Sequence, residues 1–221
     1  MARIARVVVP GYPHHVTQRG NRRQATFFRD EDFRLYIQLM SEWCRSCGVA
    51  IWAYCLMPNH VHLIAVPQSE DSLRQAIGEA HRRYSRHINF REDWRGHLWQ
   101  GRFASYVMDE KYLLAAVRYI ELNPVRARIT DDPIKYSWSS AGAHARGRDD
   151  GFVAVKPLLD LVGDWKGFLS GGLTDDEYTD LRKHERTGRP LGSIRFLAKL
   201  EEKLGKILAP QRGDRPRKQK N

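Results

Sequence analysis

The chain is poor in the features that mark several broad protein classes. It has three cysteines, Cys44, Cys47 and Cys55, too few and too odd in number for the disulfide framework of a small secreted fold. Cys44 and Cys47 have the spacing of zinc and redox sites. They lie in a helical pattern, however, and no second pair completes four ligands, so packing is the expected role. No apolar run approaches the ~20 residues that span a bilayer. The opening MARIARVVVPGYPHH is too briefly apolar for a signal-peptide core and has no small-residue cleavage site. A soluble, cytoplasmic protein without membrane contact is expected. Acidic charge is also in deficit, with 26 Asp and Glu against 37 Lys and Arg and a net charge of +11 in 221 residues. That balance favours an acidic partner such as nucleic acid.

The length suits one domain with a substantial core, or a domain with an appendage. HHVTQR, residues 14–19, alternates like a strand and ends at the turn signal Gly20-Asn21. Asp30 then opens a helix with apolar residues at Phe33, Ile37, Met40 and Cys44, closed by Gly48. VAIWAYCLM is a strand rich in β-branched and aromatic residues. Pro58-Asn59 breaks it, HVHLIAVP follows at once, and the two read as a hairpin. Ser72 caps a second helix, GHLWQGRFASYVM leads into a further strand, and Asp109 or Glu110 starts the helix EKYLLAAVRYIELN. The order β-α-β-β-α-β predicts an α+β fold of the ferredoxin-like, split βαβ type, with an antiparallel sheet, helices on one face and a C-terminal helical extension. The expected units are residues 1–140, the extension 141–208 with Phe196, Leu200 and Leu204 on one helical face, and a basic tail 209–221. That tail carries five Lys or Arg against one Asp and no large apolar residue, a composition that stays disordered in isolation.

In a strand, residues two apart project from the same face. His60 and His62 therefore point together, at a separation that lets both imidazoles reach one cation, while Val61 turns into the core. Two imidazoles alone do not name a metal. The pair is equally compatible with a hydrogen-bonded sheet face, and cupins and amidohydrolases share the spacing. A second reactive pair lies in LLAAVRYIELNPVRAR, where Tyr119 and Asn123 are four residues apart and so neighbours on a helix. An Asn carbonyl is a hard ligand suited to Mg2+ or Mn2+; an Asn before Pro124 is also a common helix terminator. Together these residues describe a cation on two His and one Asn polarising a phosphate, with Tyr119 attacking phosphorus.

MPNHVHLI followed by YIELNPVRA resembles the HUH-endonuclease superfamily with a single catalytic tyrosine. More specifically it resembles the REP-associated tyrosine transposases, and HHVTQRGNRRQ, LWQGRF, YSWSSA and RTGRPLG extend the likeness over most of residues 5–205. The resemblance implies that His60, His62 and Asn123 are the metal ligands and Tyr119 the nucleophile. It implies cleavage and rejoining of single-stranded DNA through a 5′-phosphotyrosine, on palindromic repeats folded into hairpins, with a monomer favoured and a dimer, as in insertion-sequence relatives, the alternative. Phosphate contacts are expected from Arg19, Arg22, Arg23, Arg82, Arg83, Arg86, Arg102, Arg118 and Arg126, with Gln100 beside them. Tyr84, Trp99 and Phe103 are candidates to stack on unpaired bases. Two other readings stay open: a non-catalytic hairpin-binding module, which four intact site residues argue against, and a small-molecule metal hydrolase, which the arginine density argues against.

Overall fold

The alternating segment near the start becomes strand β1 (His14–Arg19), and the hairpin pair becomes β2 (Val49–Met57) and β3 (His60–Pro67). Helix α1 (Asp30–Ser46) joins β1 to β2, and α2 (Ser72–Arg91) joins β3 to β4 (Ala104–Val107). These belong to a computed structural model that describes residues 6–208; the expected basic tail at 209–221 lies outside the described residues. The four strands form one antiparallel sheet in the order β2-β3-β1-β4. Inserting β3 between β1 and β2 is what defines the split βαβ arrangement.

The two-residue turn Pro58-Asn59 fixes the hairpin register, with Met57 opposite His60. The turn is braced from outside: Gly20 N–H donates to Asn59 O at 2.8 Å, and Thr26 N–H donates to Pro58 O at 2.8 Å. Gly20 is required here, because a Cβ would come within 2.3 Å of the Gln24 carbonyl oxygen. A bulge between Ile51 and Ala53 shifts the alternation of β2 by one residue. Val49, Ile51, Tyr54 and Leu56 therefore share one face, joined by Val16, Val61 and Leu63, while Ala53, Cys55 and Met57 face the other way.

Helices α1 and α2 lie together on the Val61 face, burying Phe33, Tyr36, Met40, Leu73, Ile77 and Tyr84. The expectation of helices on one face describes this pair. The opposite face is covered by α3 (Glu110–Glu121), which packs Leu113, Val117 and Ile120 onto Cys55, Ile64 and Tyr106. Asp109 caps α3, accepting from Tyr112 N–H at 3.1 Å. The helix ends at Glu121, because Pro124 has no N–H to continue it. Asn123 instead opens the single turn α4 (Asn123–Arg126). Tyr119 and Asn123 thus sit on consecutive helices rather than on one helical face, a difference from the sequence reading.

No break in packing marks residue 140. Helix α5 (Ala141–Arg146) and the segment to α6 (Lys156–Leu159) send Ala143, Phe152, Val153 and Val155 into the first core. Helices α7 (Trp165–Ser170) and α8 (Asp175–Thr187) add Trp165, Leu169 and Leu181 to the second. Helix α9 (Ile194–Leu204) lays Phe196, Leu200 and Leu204, the expected apolar face, against Val9 and Val107. One buried carboxylate fastens this region to α3. Glu121 accepts from Ser140 Oγ at 2.5 Å, His144 Nδ1 at 2.8 Å and Trp165 Nε1 at 2.9 Å. Among the described residues no helix is long and apolar enough to cross a membrane.

Candidate functional site

Strand β3 delivers His60 and His62 to the α3 side of the sheet, with Val61 fully buried on the other side. Their ring centroids are 5.0 Å apart and the planes nearly perpendicular. Asn59 sets the protonation of His60: its Oδ1 is 2.6 Å from His60 Nδ1, which as the N–H donor leaves the Nε2 lone pair free. That lone pair meets Asn123, whose Nδ2 lies 3.3 Å away. The side chain that turn and helix break bring together is therefore a carboxamide resting on an imidazole. Rotating the amide by half a turn exchanges its nitrogen for its oxygen.

Tyr119 completes the group. Its ring centroid is 5.5 Å from that of His62 and 6.0 Å from that of His15. The ring is buried, and the loss of water pushes the phenol pKa up to about 12, with Glu185 adding to the shift and Arg126 opposing it. Arg126 lies over the Tyr119 ring at 4.4 Å and donates from Nη2 to the Tyr119 carbonyl at 2.5 Å. Burial lowers His60 to about 4, helped by Arg19, and holds His62 well below the usual imidazole range. Both rings are neutral near pH 7 and can offer lone pairs to a metal.

Behind this group runs a buried chain that sequence reasoning missed. His62 Nδ1 is 3.0 Å from His15 Nε2, and His15 Nδ1 is 2.8 Å from the Tyr106 hydroxyl. The signal was present in the alternation of β1: His15 shares the face of Thr17 and Arg19, and Thr17 pairs with His62 in the register. From the extension, α8 contributes Glu185, whose carboxyl is raised to about 7 by burial despite the opposing Arg19, Arg182 and Arg126. No local pattern announces this residue, because its place depends on how α8 docks. Leu181 seats that helix in the core, and bonds from Arg118 to Glu177 and from Tyr112 to Asp180 hold it against α3.

A cleft of about 790 Å³ opens over His60 and His62. Arg19, Arg23, Gln100 and Arg102 line one side, and Tyr178, Arg182, Lys183 and Arg186 of α8 line the other. The remaining expected contact residues lie elsewhere. Arg22 borders a separate hollow with Trp94 and His97, and Arg118 is held by Glu177. Arg82, Arg83 and Arg86 stand on α2, across the sheet; Arg82 and Arg83 are bonded to Glu79. The expected stacking role of the three aromatics is corrected. Trp99 is buried against His81 at 4.8 Å, Tyr84 is buried and donates to the Thr26 carbonyl, and Phe103 is covered by Arg6 at 3.6 Å. No ring face of these three is left for a base. Among the described residues Phe28, Phe90 and Trp94 are exposed aromatics instead.

The family model for IS200-like transposases matches residues 8–123, a span that contains His60, His62, Tyr119 and Asn123. Among solved structures, the chain is similar to a REP-associated tyrosine transposase bound to a REP hairpin, with a TM-score of 0.57 and 21% identity. That match covers 70% of this chain and 92% of the other, and shows a shared fold. A candidate transposase from Deinococcus radiodurans aligns at 20% identity over 58% of this chain and 92% of its own, with a TM-score of 0.38. No curated protein matches the chain.

Proposed function

The chain belongs to the IS200-like transposase family, and from that premise we propose that it nicks and rejoins single-stranded DNA through Tyr119. The carrying observation is that one chain gathers His60, His62, Asn123 and Tyr119 into one group, with both histidines lining an arginine-rich cleft. The hard donor for a divalent cation such as Mg2+ or Mn2+ is the Asn123 amide oxygen, and the two neutral imidazoles beside it favour Mn2+ of that pair. His60 would bind through Nε2 and Asn123 through its amide oxygen. His62 would also bind through Nε2, since its Nδ1 faces His15. When bound, the ion supplies Lewis-acid polarisation of the scissile phosphate.

The chain's own residues supply the rest. Arg19, Arg23 and Arg102 neutralise the backbone of a strand lying in the cleft and give salt-dependent affinity. Tyr119 keeps its proton in the free protein, since its pKa stands near 12. Arg126, lying over the ring, favours the phenolate. Attack of that oxygen on phosphorus forms the tyrosyl phosphoester at the 5′ side and releases a 3′-hydroxyl. The reverse attack rejoins the strand. A REP-type palindromic hairpin is the proposed substrate, supported by the hairpin-bound relative with the same fold. A monomer is the proposed active form, since Tyr119 lies at the histidines of its own chain.

The test compares wild type with Tyr119→Phe on hairpin DNA in Mn2+. The variant should lose cleavage entirely and keep hairpin affinity within about twofold. Cleavage that survives the substitution contradicts the nucleophile, and binding without cleavage by wild type on a panel of hairpins favours a non-catalytic binder.

A further inference from the structure

His62 has two ring nitrogens, and the proposed cleavage site uses one. The other, Nδ1, lies 3.0 Å from His15 Nε2. Glu185 Oε1 stands 3.7 Å from His62 Nδ1 and 3.8 Å from His15 Nε2. This carboxylate oxygen is buried and accepts no hydrogen bond among the described residues. A buried carboxylate oxygen with no donor is costly unless something else satisfies it.

We propose that His15, His62 and Glu185 form a second metal site, sharing only the His62 ring with the His60–His62–Asn123 set and taking Zn2+ in preference to Mg2+. Three donor atoms 3.0, 3.7 and 3.8 Å apart are spaced for one ion with ligand bonds of about 2.0–2.2 Å. Two imidazole nitrogens with one carboxylate oxygen is a zinc donor set, and softer nitrogen ligands disfavour magnesium. His62 and Glu185 both line the cleft, which gives the ion a way in and leaves a position for water. Arg19, Arg126 and Arg182 act on Glu185 and oppose a cation, so all three donors are needed.

The two sites compete through one ring. A neutral imidazole carries a single lone pair. Zinc on Nδ1 leaves the proton on Nε2, and His62 can no longer serve with His60. Zinc therefore inhibits cleavage supported by Mn2+; this consequence, unlike the site itself, rests on the proposed function.

The site is tested by calorimetric titration of Zn2+ into the full chain carrying His60→Ala and Asn123→Ala, which strips two donors from the other set. That double variant should bind one zinc, and adding Glu185→Gln should weaken binding by at least about tenfold. Circular dichroism checks that each variant folds. Loss of zinc binding in the folded double variant, or zinc binding untouched by Glu185→Gln, overturns the proposal. Should Glu185→Gln fail to fold, X-ray absorption on the zinc-loaded double variant decides: two histidine ligands support the site and fewer overturn it. The titration needs no DNA, so failure of the cleavage reading would leave this result intact.

Discussion

The side-chain nitrogen of Asn123 lies 3.3 Å from Nε2 of His60, joining positions 63 residues apart in the chain. Two local devices create that contact. Pro124 ends α3 and swings Asn123 onto its own turn, and Asn59 holds the proton of His60 on the far side of the ring. Asn59→Ala removes the second device without touching a ligand. Mn2+ affinity, measured by calorimetry, should fall by about 10–100-fold, the usual effect of losing such a partner. Unchanged affinity would show that Asn59 does not set the ring.

Glu121 separates the two reactive residues in sequence and anchors them in space. Its carboxylate is fully buried and accepts from Ser140, His144 and Trp165. Glu121→Ala leaves the histidine and the indole N–H without their partner. Urea unfolding should show a loss of about 2–5 kcal/mol, from two buried donors left without an acceptor at about 1–3 kcal/mol each. A change below about 1 kcal/mol would mean that the network does not stabilise the α3–α7 junction.

Several histidines are buried in the neutral form. Burial lowers His14 and His60 to about 4, and His15 and His81 to about 3. The unfolded chain takes up these protons near pH 6.5, and the folded chain does not until the pH reaches those lower values. Their contribution is therefore complete above about pH 6.5 and is lost as the pH falls toward 3. Glu185, raised to about 7, has the opposite sign: its contribution is present below its unfolded value near 4.5 and lost as the pH rises through 7. His62 and His184 are lowered as well, so one group opposes six and thermal stability in EDTA should drop between pH 7.5 and pH 5. A net loss of ~2 kcal/mol would lower Tm by about 4–8 °C for a chain of this size. A flat or rising Tm contradicts the neutral burial.

The cleft and the outer face of α2 should behave differently toward DNA. Arg19, Arg23 and Arg102 line the cleft, whereas Arg82 is engaged with Glu79 on an exposed helix turn. Changing any one cleft arginine to Ala should reduce the slope of log affinity against log salt by about 0.7 on single-stranded DNA. Arg82→Ala should leave the slope alone. Equal effects at both places would move the DNA path off the cleft.

Much of the site was legible because its parts are local. The two-residue spacing of His60 and His62 fixed their common face, and the Pro58-Asn59 break located the hairpin. The four-residue spacing of Tyr119 and Asn123 survived as proximity although Pro124 splits the helix. Glu185 and Tyr178 were not legible, since α8, far away in sequence, reaches the site only by docking Leu181 into the core that α3 and Tyr119 share. Tyr84, Trp99 and Phe103 misled for a related reason. An aromatic among arginines looks the same in sequence whether its ring faces a base or, as here, the interior. The arginines of α2 stand across the sheet from the cleft, where Glu79, three and four residues earlier, binds Arg82 and Arg83, a pairing that their spacing in the helix does show.

The central claim is that Tyr119 becomes joined to DNA. Wild-type protein incubated with a cleavable hairpin and Mn2+, then denatured and digested, should yield one nucleotide-bearing peptide by mass spectrometry, containing Tyr119 esterified to a 5′-phosphate. A cleaved strand with no adduct, or an adduct on Tyr178, Tyr112 or Tyr106, would contradict it.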